Sequence, residues 1–172
     1  MYTLIGDIGN TVTKVCLINN NNCSIKKIFF LESKKIIFNN YIKIKFHKIF
    51  KKNKINKFAL FSSVVPKHEI KVKKFLYKFY KIKLVEIKNK KINKIIKINI
   101  KNKKQVGSDR IANAVSVYSK YKKDCIVLDF GTATTFDVIT KSGIYNGGVI
   151  APGINLSIKS LTNLADQIPA FS

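Results

Sequence analysis

The chain has 172 residues, 46% of them hydrophobic, which supports one ordinary core or two small ones. No window approaches the roughly 18 uninterrupted apolar residues of a membrane span, and no basic leader opens the N-terminus, so a soluble cytoplasmic protein with no membrane partner is expected. The net charge of +24 would ordinarily suggest nucleic acid, but Arg110 is the one arginine, and the joint excess of Lys, Asn, Ile and Phe is what A/T-rich codons produce, so a nucleic-acid partner is not expected.

In chain order, "YTLIG" (2–6) and "TVTKVCLIN" (11–19) read as strands around a turn at Asp7 to Asn10. A second turn at 19–22 leads into the strand "SIKKIFFLE". Residues 36–54 read as a poorly patterned helix, and "KFALFSSVV" as a buried strand ending at Pro66. The next helix places Val72, Phe75, Leu76 and Phe79 on one face. "IKLVEIK" is a short strand, and the lysine-rich stretch 88–104 has no readable pattern. A helix follows over 107–121, with Ser108 or Asp109 as N-cap and Ile111, Ala114, Val115 and Tyr118 as its apolar stripe. "CIVLDFG" and "TTFDVIT" are strands joined by a threonine-rich turn. After a turn at Ser142-Gly143 comes "YNGGVIAPG", then a helix over 154–165. The mixture of strands and helices indicates an α/β fold with partly antiparallel sheet. Cys16, Cys23 and Cys125 form no CxxC pair and lie far in sequence from His47 and His68, so neither a zinc site nor a disulfide framework is expected.

Glycine is not favoured by A/T bias, yet Gly6, Gly9 and six glycines between Gly107 and Gly153 persist, with none from Asn10 to Val106. Two of these islands match. Asp7-Ile8-Gly9-Asn10-Thr11 and Asp129-Phe130-Gly131-Thr132-Ala133-Thr134 each follow a hydrophobic strand and precede another. Glycine permits a tight turn whose N–H groups face one way, and hydroxyls add donors, so both loops suit phosphate. An aspartate beside phosphate needs a cation between them, so Asp7 and Asp129 imply a metal or monovalent ion. Asp124 and Asp137 are read as structural.

With "SSVVP" at 62–66, "GSDR" at 107–110 and "GGVIAPG" at 147–153, the two loops give five motifs in order. Together they resemble the type III pantothenate kinases over nearly the whole chain. The resemblance implies a duplicated ribonuclease-H-like fold of the acetate kinase, sugar kinase, Hsp70 and actin superfamily. Residues 1–106 would form the first half and 107–172 the start of a second, with the second half cut short because family members continue further. It implies ATP-dependent phosphorylation of pantothenate towards coenzyme A, a homodimer, Mg²⁺, and K⁺ or NH₄⁺. By motif, Asp7, Ile8, Gly9, Asn10, Thr11, Val12, Thr13, Lys14 and Thr132 would contact ATP. Gly107, Ser108, Asp109 and Arg110 would bind pantothenate, with Asp109 the general base and Asp129 the ligand of the monovalent cation. Ile100 and Lys103 stand where the family often has a tyrosine and a proline. A catalytically silent remnant of such a kinase and a basic accessory protein are the alternative readings.

Overall fold

The computed structural model describes residues 1–51, 53–89 and 94–164. The chain divides into two compact units, residues 1–92 with 107–112, and residues 93–106 with 113–172.

The first unit contains a five-stranded sheet of order β3-β2-β1-β4-β5, built from β1 (Tyr2–Ile8), β2 (Val12–Asn19), β3 (Ile25–Glu32), β4 (Ile55–Ser63) and β5 (Lys83–Glu86). The first three strands form an antiparallel meander, whereas β4 runs parallel to β1 and β5 parallel to β4. Parallel neighbours need crossovers, and α1 (Asn39–Phe50) and α2 (Pro66–Tyr80) occupy them. Alternation along β1 and β2 points Leu4, Ile8, Val15 and Leu17 into one core with Ile42, Phe46 and Ile49 of α1 and Val72, Phe75 and Leu76 of α2. Pro66 opens α2, where a missing N–H costs nothing, and Lys81 ends it in the left-handed region at φ 55°.

Several expectations shift here. The turn after β1 is shorter than expected, because Asp7 and Ile8 remain in the strand and pair with Lys14 and Thr13. The helix expected over 36–54 starts later, at Asn39, after a 3₁₀ turn at Ser33–Ile37. Phe79 lies outside the core, 53% exposed, although its ring centroid is 4.8 Å from that of Phe75. The strand 57–65 is buried on one face only: Ala59 and Phe61 are covered while Phe58 is exposed.

Glu69 of α2 has a carboxyl held above its ordinary 4.5, first by burial and then by the charge of Glu86. The folded chain therefore keeps a proton that the unfolded chain releases, so stability falls as the pH rises through 4.5 towards the raised value. Thermal melts of Glu69→Gln are expected to lose that part of the pH slope and to lie slightly above wild type at neutral pH.

The second unit contains a four-stranded sheet of order β6-β9-β8-β7: β6 (Lys97–Ile98), β7 (Cys125–Phe130), β8 (Ala133–Ile139) and β9 (Ile144–Pro152). The strands β7, β8 and β9 are antiparallel and β6 adds to β9 in parallel. The stretch 88–104, unreadable in sequence, thus supplies an edge strand, with Ile98 in it and Ile96 just before it buried; residues 90–93 lie outside the described residues. Helices α3 (Ser108–Tyr121) and α4 (Ile154–Leu164) complete the elements, and Ala165, expected at the end of α4, also lies outside them. Asp137 is fully buried and accepts the Tyr145 hydroxyl at 2.5 Å, and Asp124 accepts the Lys141 N–H at 2.8 Å. Along β7, Ile126, Leu128 and Phe130 share one face with Phe136 and Val138 of β8 and Val149 of β9, and all six are at least 36% exposed. No helix among the described residues is long and apolar enough to cross a membrane.

Candidate functional site

In the first unit the ends of β1 and β4 meet the start of α3. Asp7 is half-buried and its Oδ1 accepts the Ser62 hydroxyl at 2.6 Å. The next residue, Ser63, faces the other way and its carbonyl accepts the Ser108 hydroxyl at 3.0 Å. Two consecutive serines at the end of β4 therefore join the first aspartate loop to the "GSDR" segment. Sequence reading noted "SSVVP" without seeing this bridging role. Only the Ser62 half left a signal, a hydroxyl at the end of a largely apolar strand; the Ser63 carbonyl is backbone that any residue would supply.

The loop itself is tight. The Gly9 N–H donates to the Val12 carbonyl at 3.2 Å, and the Ser33 N–H to the Thr11 carbonyl at 3.0 Å. Asn10, Thr11, Val12 and Lys14 are exposed. Ile8 and Thr13 are fully buried, and the Thr13 hydroxyl lies 2.9 Å from that of Ser33, so neither presents surface to a ligand in this structure.

At α3 the Gly107 carbonyl accepts the Ile111 N–H at 3.1 Å and begins the helix. Ser108 is 1% exposed and its hydroxyl is spent on Ser63, while Asp109 Oδ1 accepts the Arg110 N–H at 2.8 Å. Neither expected N-cap residue holds the cap position: Gly107 precedes the helix, and Ser108 and Asp109 are its first two residues. The Asp109 carboxylate sits in the first turn, near the positive end of the helix dipole. Asp109 and Arg110 are both half-buried.

In the second unit β7 and β8 form a hairpin around Gly131 and Thr132. The Gly131 N–H donates to Ala133 and the Gly153 N–H to Thr132, each at 3.1 Å. A Cβ on Gly153 would overlap the Gly131 and Thr132 carbonyls, so the glycine opening α4 lets that helix start directly against the loop. Asp129, at the end of β7, is exposed and accepts the Asn113 side-chain amide at 2.9 Å. Sequence reading missed Asn113, since asparagine is too common in this chain to stand out.

A sequence profile described as type III pantothenate kinase matches residues 3–172. The chain is 52% identical over 169 residues to the type III pantothenate kinase of Pelagibacter ubique (strain HTCC1062), covering 98% of this chain and 66% of that protein. The chain belongs to the type III pantothenate kinase family. The relative in Endomicrobium trichonymphae is 40% identical over 72% of this chain and 47% of its own length. The chain thus spans less than two-thirds of the length of these pantothenate kinases.

Two solved structures share the fold. The EutJ ethanolamine utilization protein of Carboxydothermus hydrogenoformans superposes with a TM-score of 0.51 at 13% identity, covering 99% of this chain and 58% of that one. The activator of 2-hydroxyisocaproyl-CoA dehydratase from Clostridium difficile, solved with ADPNP, gives 0.50 at 11%, covering 99% and 54%. The fold is accordingly α/β, of the actin-like ATPase type to which the pantothenate kinase family was expected to belong.

Proposed function

We propose that this chain carries out, or forms the larger part of an enzyme that carries out, ATP-dependent phosphorylation of pantothenate to 4'-phosphopantothenate, the first step of coenzyme A biosynthesis. The observation that carries the reading is the double tie made by β4: Ser62 holds Asp7 of the phosphate loop, and Ser63 holds the helix start that presents Asp109. Phosphoryl transfer needs little covalent chemistry from the protein; it needs a phosphate cradle and a base in fixed register.

The segment Asp7 to Lys14 meets the ATP phosphates, with the exposed Asn10, Thr11, Val12 and Lys14 open to them and the buried Ile8 and Thr13 holding the loop in shape. Thr132 is a second ATP contact. Gly107, Ser108 and Arg110 line the pantothenate site. Asp109 accepts the proton of the pantothenate primary hydroxyl as its oxygen attacks the γ-phosphorus. The bond to the bridging oxygen breaks and ADP leaves. A divalent ion would come here as the partner of the ATP phosphates, next to Asp7. Bound Mg²⁺ would neutralise charge on the transferring group. Asp129, an exposed carboxylate with one oxygen held by a neutral amide, fits a monovalent cation such as K⁺ or NH₄⁺. The same reading includes two ribonuclease-H-like halves, residues 1–106 and 107–172, a homodimer and a cytoplasmic location.

Purified chain with ATP, Mg²⁺, K⁺ and pantothenate is expected to yield phosphopantothenate and ADP in equal amounts; ADP without phosphopantothenate would overturn the substrate assignment. Gly131 supplies a second test. A Cβ there would meet nothing nearer than the Ala133 carbonyl at 3.6 Å, so the fold itself does not require glycine. Close approach of a phosphate does. Gly131→Ala is expected to melt like wild type while its KM for ATP rises about tenfold, equivalent to ~1.4 kcal/mol of lost binding.

A further inference from the structure

Within the second unit, Asn113, Asp129 and Thr135 stand together, and only Asp129 has a role in the reading above. Asn113 Nδ2 donates to Asp129 Oδ2 at 2.9 Å. Asp129 and Thr135 are direct partners across the β7–β8 ladder, so their side chains project from the same face of the sheet. Thr135 Oγ1 is buried and makes no hydrogen bond among the described residues. An unpaired buried hydroxyl is destabilising and uncommon enough to require an explanation.

We propose that Asn113 is a positioning residue that fixes the Asp129 carboxylate for a monovalent cation, and that Thr135 Oγ1 is a further oxygen ligand of that ion. The inference rests on the assignment of Asp129 as the cation's carboxylate. Its chemistry is one negative charge plus neutral oxygens, which suits a singly charged ion. A divalent ion without phosphates would call for more carboxylates than the described residues gather. Asn113 orients one carboxylate oxygen without cancelling its charge. A lysine there would place an ammonium where the ion belongs, and this position carries asparagine in a chain whose basic residues are almost all lysine. The Thr135 hydroxyl has both lone pairs available, and a cation on the Asp129 face removes the penalty of its burial.

The test is thermal unfolding of the whole chain titrated with KCl, with tetramethylammonium chloride holding ionic strength constant, alongside direct binding followed by ²⁰⁵Tl⁺ NMR. Wild type is expected to gain stability with K⁺ and to bind Tl⁺ in competition with it. Thr135→Val should weaken K⁺ about tenfold, yet without K⁺ be at least as stable as wild type, because an unpaired hydroxyl has been removed. Asn113→Leu should also weaken K⁺ by about tenfold, within the range found for outer partners of metal ligands. Asn113→Lys should fold and lose its response to K⁺, its ammonium standing in for the ion. A wild-type K⁺ midpoint in Thr135→Val overturns the ligand role, and one in Asn113→Leu or Asn113→Lys overturns the positioning role. Asp129→Asn separates the two levels. If it loses the K⁺ response while the other variants keep theirs, the carboxylate assignment stands and the present inference falls. If it keeps the response, or wild type has none, both fall.

Discussion

Asp109→Asn is expected to lower turnover of pantothenate by about 10²–10⁴-fold, the range for loss of a positioned general base. The structure gives the substitution a clean interpretation. Asp109 Oδ1 accepts the Arg110 N–H at 2.8 Å, and an asparagine carbonyl oxygen accepts the same bond. The start of α3 is thus preserved, and the Ser108–Ser63 bond beside it is untouched. What disappears is the negative charge, and with it the capacity to take a proton. A melting temperature within two or three degrees of wild type, by the usual scaling of about 2–4 °C per kcal/mol, would confirm an intact fold. Unchanged turnover would remove Asp109 from the chemistry, and a KM effect alone would reassign it to binding.

The second large effect is on stability. Phe61 of β4 is fully buried, and its ring occupies the space that a side chain on Gly6 would need. Gly6 pairs directly with Phe61 across the parallel β1–β4 ladder and lies one residue before Asp7. The ring therefore sets how closely these two strands can carry their ends together. Phe61→Ala is expected to cost about 3–5 kcal/mol, from lost burial plus the cavity left behind. Gly6→Ala alone should cost about 1–3 kcal/mol, because the new methyl meets a packed ring held between strands. Combining them should cost less than the sum, since the methyl then enters space the ring has vacated. Urea denaturation of the four species measures the coupling directly. Strict additivity would show that the two residues do not share that space.

The parts of the fold that were legible in sequence are those where chemistry opposes compositional drift. The two Asp-x-Gly loops and "GSDR" could be seen because glycine, aspartate and the single arginine stand out against lysine and asparagine. The stripe of α3 was also readable, with Ile111 and Ala114 buried as its period requires. The same drift hid the rest. Asn113 is one asparagine among many, and nothing in the sequence ties it to Asp129. β6 is two residues long inside a lysine–isoleucine–asparagine run, so no alternation had length enough to register. The expected turn at Asp7 and Ile8 was placed too early because a hairpin's last ladder pair is set by its partner strand, here by Thr13 and Lys14. Phe79 satisfied a helical period, yet the core is already filled by Phe75 and Leu76, leaving Phe79 at the rim.

The uncovered strand face of the second sheet bears on the colloidal behaviour of the molecule. Ile126, Phe130 and Val149 are each more than 60% exposed, an apolar surface of the kind that makes soluble proteins self-associate. The net charge of +24 opposes this by repelling like copies before such faces touch. That repulsion reaches only about a Debye length, roughly 10 Å at 0.1 M salt and 3 Å at 1 M. The many lysines therefore act as a salt-dependent dispersant, and added electrolyte removes the barrier between copies while leaving their apolar strands unchanged.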